Sequence, residues 1–112
     1  MTEALCRLDE IDDGGAKGFS LTGGGATREI FVVRQGRRVF AYVNSCPHIG
    51  TPLELLPDRF LTADGLEILC STHGARFEIG SGRCLAGPCR GRSLQPVSVR
   101  LDGGTVILDG RS

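Results

Sequence analysis

Apolar and polar residues alternate at strand spacing over several short stretches of the chain, and no stretch shows a convincing helical period. Residues 28–33 and 38–43, rich in Val, Ile and Phe, flank Gln35-Gly36 and predict a β-hairpin. Residues 95–101 place Val97, Val99 and Leu101 at alternate positions, and Gly103-Gly104 then turns the chain into a last strand at 105–108. Three further strands are predicted at 3–8, 66–69 and 75–79. Between them lie an acidic turn at 9–15, a glycine turn at Gly23-Gly24-Gly25 and a loop from 44 to about 59 with Pro47, Gly50, Pro52 and Pro57. A second irregular stretch, 85–91, contains Gly87-Pro88, and the tail at 109–112 is expected to fray. The chain reads as an all-β domain with an irregular excursion over 44–91.

Composition sharpens this pattern. Seventeen glycines and five prolines favour short strands and tight turns, and 112 residues supply one hydrophobic core rather than two. The formal net charge of zero offers no bulk reason to expect nucleic acid or an anionic membrane as partner. No apolar run approaches the ~18 residues of a membrane span. The start, Met1-Thr2-Glu3-Ala4-Leu5-Cys6-Arg7, has neither a basic-then-apolar leader nor a twin-arginine pair, so residence in the cytoplasm is expected. Five cysteines, an odd number without a secretory leader, argue against a disulfide scaffold and favour metal binding.

The chain contains two histidines, and each stands close to a cysteine: Cys46-Pro47-His48-Ile49-Gly50 and Cys70-Ser71-Thr72-His73-Gly74. Each loop offers one soft thiolate and one imidazole, followed by a glycine that lets the backbone turn close to a metal. A zinc knuckle also takes two Cys and two His, but it usually draws like ligands from each close pair. Mixed pairs suit an iron–sulfur cluster with Cys on one iron and His on the other.

The pattern Cys-x-His, 21 residues (49–69), Cys-x-x-His resembles the signature of the Rieske two-iron, two-sulfide (2Fe-2S) family. The likeness continues through Gly50-Thr51-Pro52-Leu53, Gly74-Ala75-Arg76-Phe77 and Gly82-Arg83-Cys84-Leu85-Ala86-Gly87-Pro88. The spacer is a few residues longer than is usual in the family, and the extra residues are expected around 56–64, as a loop between the ligand hairpins. The resemblance implies an antiparallel β-sandwich with a small cluster-binding subdomain. Its basal part would cover about 1–43 and 92–108, and its cluster-binding part about 44–91. It also implies that Cys46 and Cys70 ligate an inner iron and His48 and His73 an outer one, with the imidazole edges turned towards solvent and a partner. Two ferric ions, two sulfides and two thiolates sum to zero charge, so such a cluster accepts an electron more readily than one held by four thiolates.

The family's high-potential members carry a disulfide between the ligand loops, at positions that resemble Thr51 and Thr72 here, and Ser and Tyr hydroxyls near the cluster at positions that resemble Ala75 and Phe77. None of these four residues supplies the corresponding bond here. A hydrogen bond to a charged group is worth roughly 1.5–3 kcal/mol, or roughly 65–130 mV for one electron. Two absent bonds place the expected midpoint in the lower third of the Rieske span of about −150 to +300 mV.

Pro88 resembles the proline of a loop that covers the cluster, and Ile49 and Leu53 are expected to shield it from water. Cys84 and Cys89 have no second pair and no spare histidine, so they read as small buried hydrophobes or tolerated thiols, and Cys6 reads as core. Asp9, Glu10, Asp12 and Asp13 read as a solvated turn. Between 76 and 100 five arginines (76, 83, 90, 92, 100) face one acid, Glu78, a local charge of +4 that suits either an ordinary charged surface or the steering of an acidic partner.

The resemblance implies a one-electron carrier, monomeric if free-standing, working between a reductase and a terminal oxidoreductase, above all a ring-hydroxylating oxygenase. An alternative is a small subunit of a larger complex such as a nitrite-reductase-like enzyme, and a third is a zinc-stabilised binding module. An oxygen-activating mononuclear iron needs two histidines and a carboxylate, and the cluster takes both histidines, so no catalytic turnover of a substrate is expected.

Overall fold

The structure, a computed structural model, describes residues 3–23, 26–45, 60–62, 64–70, 74–87 and 91–108. Ten strands lie within them: β1 (Glu3–Arg7), β2 (Ala16–Gly23), β3 (Ala26–Gln35), β4 (Arg38–Val43), β5 (Glu67–Cys70), β6 (Ala75–Glu78), β7 (Cys84–Ala86), β8 (Pro96–Val97), β9 (Val99–Asp102) and β10 (Thr105–Leu108). They form three antiparallel sheets, ordered β1-β10-β9, β2-β3-β4-β8 and β5-β6-β7. No helix among the described residues is long and apolar enough to cross a membrane.

The run Ile30-Phe31-Val32-Val33 in β3 is buried at every position. An uninterrupted apolar strand needs cover on both faces, since successive side chains point to opposite sides. That cover is present. Ile30 and Val32 join Ala41, Val97, Val106, Leu8 and Ile11 in one core, shared with the β1-β10-β9 sheet. Phe31 and Val33 join Tyr42, Phe60, Ile68, Cys70, Ala75, Phe77 and Leu94 in a second core, under the β5-β6-β7 sheet. Phe31 stacks on Phe60 with ring centroids 4.5 Å apart and planes 8° from parallel. The four-stranded sheet is thus the middle layer, and the small third sheet rests on its far face.

Several elements depart from the sequence expectation. The segment after the acidic turn is a full strand, β2, paired with β3 from Ala16↔Val33 to Gly23↔Ala26. Its Phe19 and Leu21 pack on the first core, but they are the only two apolar residues on that face of β2, between Lys17 and Gly23, too few to show a period. The expected strand at 95–101 is two strands. β8 pairs with β4 and β9 with β10, so the chain changes sheet at Ser98. β7 replaces the start of the expected irregular stretch at 85–91. The predicted loop around 56–64 is partly paired: Leu69 N–H donates to Phe60 O at 2.8 Å, Thr62 N–H donates to Glu67 O at 2.9 Å, and Leu61 bridges Ile68. Its turn is closed by Asp64, which accepts from Leu66 N–H and the Thr62 hydroxyl, and these bonds hold its carboxyl below the usual carboxylate range. Residues 56–59 and 63 lie outside the described residues, as does the tail at 109–112.

The acidic turn is more than a solvated loop. Leu8–Glu10 form a single 3-10 turn, and Leu8 and Ile11 are buried. Arg34 fastens it to the β3–β4 hairpin, donating to Ile11 O at 2.8 Å, Leu8 O at 3.3 Å and Gly36 O at 2.7 Å. Asp9, Glu10, Asp12 and Asp13 remain exposed, as expected.

Tyr42, 2% exposed, donates its hydroxyl to Ile79 O at 2.6 Å and thereby ties the turn after β6 to the middle sheet. Burial, and then the Glu78 carboxylate, pushes its phenol up to about 12. A phenol whose folded pKa exceeds its ordinary value of about 10 contributes stability that is complete below pH 10 and is lost as pH rises through 12. Two units correspond to about 2.7 kcal/mol. Chemical denaturation of the wild type is expected to show a fall on the order of 2–3 kcal/mol between pH 10 and pH 12 that is absent in Tyr42→Phe. At pH 8 the same variant should be destabilised by about 1–3 kcal/mol, because the Ile79 carbonyl loses its donor. Parallel pH profiles for the two proteins would refute the assignment.

Candidate iron–sulfur centre

β5 alternates half-buried and buried residues and delivers Cys70, fully buried, at its end. Cys70 faces Ala75 across the β5–β6 ladder, and the hairpin is closed by Gly74 N–H donating to Cys70 O at 2.9 Å. Gly74 has φ +70°, a left-handed conformation that strains any residue with a Cβ. Ala75 and Phe77 point inward with Cys70, all three fully buried in one core. Neither carries a hydroxyl, as the sequence expectation of a donor-poor environment requires.

The segment leading to Cys46 leaves the middle sheet under firm backbone control. Val43 N–H donates to Gln95 O, Asn44 N–H to Glu29 O and Ser45 N–H to Val43 O, each at 2.9 Å, which anchors the chain up to the residue before Cys46. Cys46, His48 and His73 themselves lie outside the described residues, as do Ile49, Thr51, Leu53, Thr72, Pro88 and Cys89. The structure therefore places one of the four expected ligands, both ends of the second loop and the entry to the first.

A third segment closes on the same spot. Gly87, with φ +105°, passes so near β6 that a Cβ there would lie 2.7 Å from Ala75 Cα and 3.0 Å from Ala75 Cβ. The segment entering Pro88 is thus laid directly against the Cys70–Ala75 row. A second glycine, Gly82 at φ +74°, lies under the Tyr42 ring, 2.7 Å from ring carbon to would-be Cβ. The Gly87-Pro88 dipeptide signalled a turn in the sequence, but neither close approach was visible there.

Of the remaining thiols, Cys84 is buried opposite Phe77, with its Sγ donating to Ala86 O at 3.4 Å, as a small core residue would be. Cys6 is half-buried in β1, where burial and then Glu10 push its thiol up. Neither Cys6 nor Cys70 forms a disulfide.

The donor set fits a sulfur-ligated iron centre. The inward face of the third sheet carries Ile68, Cys70, Ala75, Phe77 and Cys84, and, the Tyr42 phenol apart, no polar or charged side chain is buried among the described residues. A hard, oxygen-preferring cation would find no carboxylate there, whereas a soft thiolate beside a small alanine and a glycine suits iron and sulfide.

Comparison with known proteins agrees. The Rieske [2Fe-2S] domain family matches residues 2–101 of the chain. The ferredoxin component of a p-cumate 2,3-dioxygenase system from Pseudomonas putida is 32% identical over 105 residues, 94% of this chain and 82% of the relative. The ferredoxin component of a naphthalene 1,2-dioxygenase system from Pseudomonas aeruginosa is 28% identical over 102 residues, 91% of this chain and 88% of the relative. Among solved structures, the ferredoxin of carbazole 1,9a-dioxygenase from Nocardioides aromaticivorans IC177 superposes with a TM-score of 0.74 at 28% identity, covering 96% of each chain. A family defined by its 2Fe-2S cluster displaces the zinc alternative. Buried Cys70 in its tight hairpin, the all-β layers around it and the match over nearly the whole chain have one meaning: this protein belongs to the Rieske [2Fe-2S] domain family.

Proposed function

We propose that this chain is the ferredoxin of a ring-hydroxylating oxygenase system, taking one electron at a time from a reductase and delivering it to a terminal oxygenase. The observation that carries this is the Cys70–Ala75 hairpin, a buried thiol framed by Ala75, Phe77 and Gly87, in a chain whose relatives are ferredoxin components of dioxygenase systems. In this reading Cys46 and Cys70 hold one iron and His48 and His73 the other, and residues 44–91 act as the cluster-binding part on a base formed by 1–43 and 92–108. When bound, the cluster supplies a one-electron couple. The chain's own residues hold it, exclude water through Ala75, Phe77 and the Gly87 segment, and set the charge around it. We place the protein in the cytoplasm as a monomer.

Aerobically purified protein is expected to be brown, with two irons and two labile sulfides per chain, and to lose both in Cys70→Ala and in His48→Ala. Its midpoint should lie below about 0 mV, in the lower third of the Rieske span. His73→Cys should keep some iron and lower the midpoint, because a thiolate adds one negative charge where the imidazole added none. A colourless zinc protein would end the proposal. A midpoint above about +150 mV, or one that rises in His73→Cys, would contradict the account of its electrostatics.

A further inference from the structure

Tyr42 belongs to the middle sheet, yet it grips the turn between β6 and β7 at two points. Its hydroxyl donates to Ile79 O at 2.6 Å, at the start of the turn. Its ring covers Gly82, at the end of the turn, where a Cβ would lie 2.7 Å from the ring carbon Cε1. A side chain at that position would displace the ring, and φ +74° disfavours one as well.

What the turn holds in its own right leads to the cluster region. Gly82 O accepts from Leu94 N–H at 2.8 Å, Arg83 bridges Ser93, and Cys84 N–H donates to Arg92 O at 2.9 Å. Residues 82–84 and 92–94 are therefore paired stems, with buried Leu94 packed in the same core as Tyr42. β7 continues from the first stem and is weakly held. It is an edge strand with two ladder pairs, Arg76↔Ala86 and Phe77↔Cys84, and the register shifts between them. Leu85 is the extra residue of this β-bulge, turned outward and 40% exposed. The next residue after β7 is Gly87, laid against Ala75 in the Cys70–Ala75 row. The ladder alone secures that approach poorly, so its position depends on where the stems are fixed, and Tyr42 fixes them with the one directional side-chain bond from the middle sheet to this turn among the described residues.

We propose that Tyr42 is a positioning residue for the iron–sulfur centre: by fixing the β6–β7 turn it holds the Gly87 segment against the Cys70–Ala75 row and keeps water from the cluster. The proposal rests on the reading of the chain as a cluster-bearing electron carrier. Without the hydroxyl, the Ile79 carbonyl is buried with no donor, and β7 opens more often while the layers of the fold stay together. Water that reaches the centre favours the reduced state, which carries one more negative charge, so the midpoint rises.

The test compares holoprotein of the wild type, Tyr42→Phe and Gly82→Ala with Arg34→Gln, which loosens the acidic turn on the opposite face of the middle sheet. Hydrogen exchange followed by mass spectrometry is expected to speed up at least about fivefold over residues 82–94 in Tyr42→Phe, with β1 and β10 unchanged. Loss of iron to a chelator, read as bleaching of the visible spectrum well below the melting temperature, should accelerate by a similar factor. The midpoint should rise by about 30 mV, a threefold shift in the one-electron equilibrium at 59 mV per tenfold. Gly82→Ala, which displaces the ring from the other side of the contact, should show the same three changes. Arg34→Gln should melt earlier but leave all three at wild-type values. Bleaching that accelerates equally in Arg34→Gln would overturn the proposal, because general destabilisation would then explain it. Faster exchange over 82–94 with bleaching and midpoint unchanged would also overturn it, by showing that the turn does not control the centre. A wild type without the cluster spectrum would instead sink the function on which the proposal rests.

Discussion

Ala75→Ser combined with Phe77→Tyr is expected to raise the midpoint potential by roughly 130–260 mV, the sum of two hydrogen bonds to a group that gains charge on reduction. Ala75 lies directly across the ladder from Cys70, and facing residues in an antiparallel pair hold their Cβ atoms about 4.5–5.5 Å apart. A serine hydroxyl at that position would stand across the ladder from the Cys70 side chain, among apolar neighbours. Phe77 is fully buried in the same core, so a tyrosine hydroxyl there must also find an internal acceptor. Both donors favour the reduced, more negative state. The low dielectric of the core, where no charged side chain is buried among the described residues, magnifies the effect. Redox titration of the single and double variants checks this. Changes below about 30 mV in both single variants would show that neither side chain reaches the centre.

Gly87→Ala should be strongly destabilising. The new Cβ meets backbone, Ala75 Cα at 2.7 Å, which cannot rotate away, and φ +105° is itself unfavourable for alanine. Backbone strain of about 1–3 kcal/mol adds to about 1–3 kcal/mol of overpacking. The sum, about 2–6 kcal/mol, is a large share of the 5–15 kcal/mol typical of a domain. Gly36→Ala is the control: its φ is also positive, at +62°, but nothing lies within 4 Å of its Cβ position. Gly36→Ala should cost about 1–2 kcal/mol. Thermal melts and the rate of bleaching at the iron–sulfur absorption should separate the two, with Gly87→Ala losing colour many times faster. Equal melting temperatures would show that the Gly87–Ala75 approach is not a constraint.

The value of both variants lies in contacts that span the fold, and the sequence showed such contacts unevenly. Phe60 fell in a stretch expected to be loop, yet it is fully buried and stacked on Phe31, 29 positions earlier. Ile11 fell in an acidic turn, yet it is 1% exposed because Arg34 draws the turn onto the hairpin. β7 escaped notice because its three residues, one of them a bulge, are too few to show a period.

Residue chemistry and close spacing were legible in the sequence by itself. The all-β class follows from short alternating runs and frequent glycine. The cluster family follows from Cys46, His48, Cys70 and His73, because ligand type and loop length are local properties of the chain. Tertiary structure alone decided that β3 is covered on both faces, that the chain changes sheet at Ser98, that Tyr42 holds Ile79, that Gly87 lies against Ala75 and that a bulge turns Leu85 outward. The physical reason is the same in each case. A strand's periodicity reports how much of it is buried, but the partner that buries it comes from elsewhere in the chain, and only packing selects it.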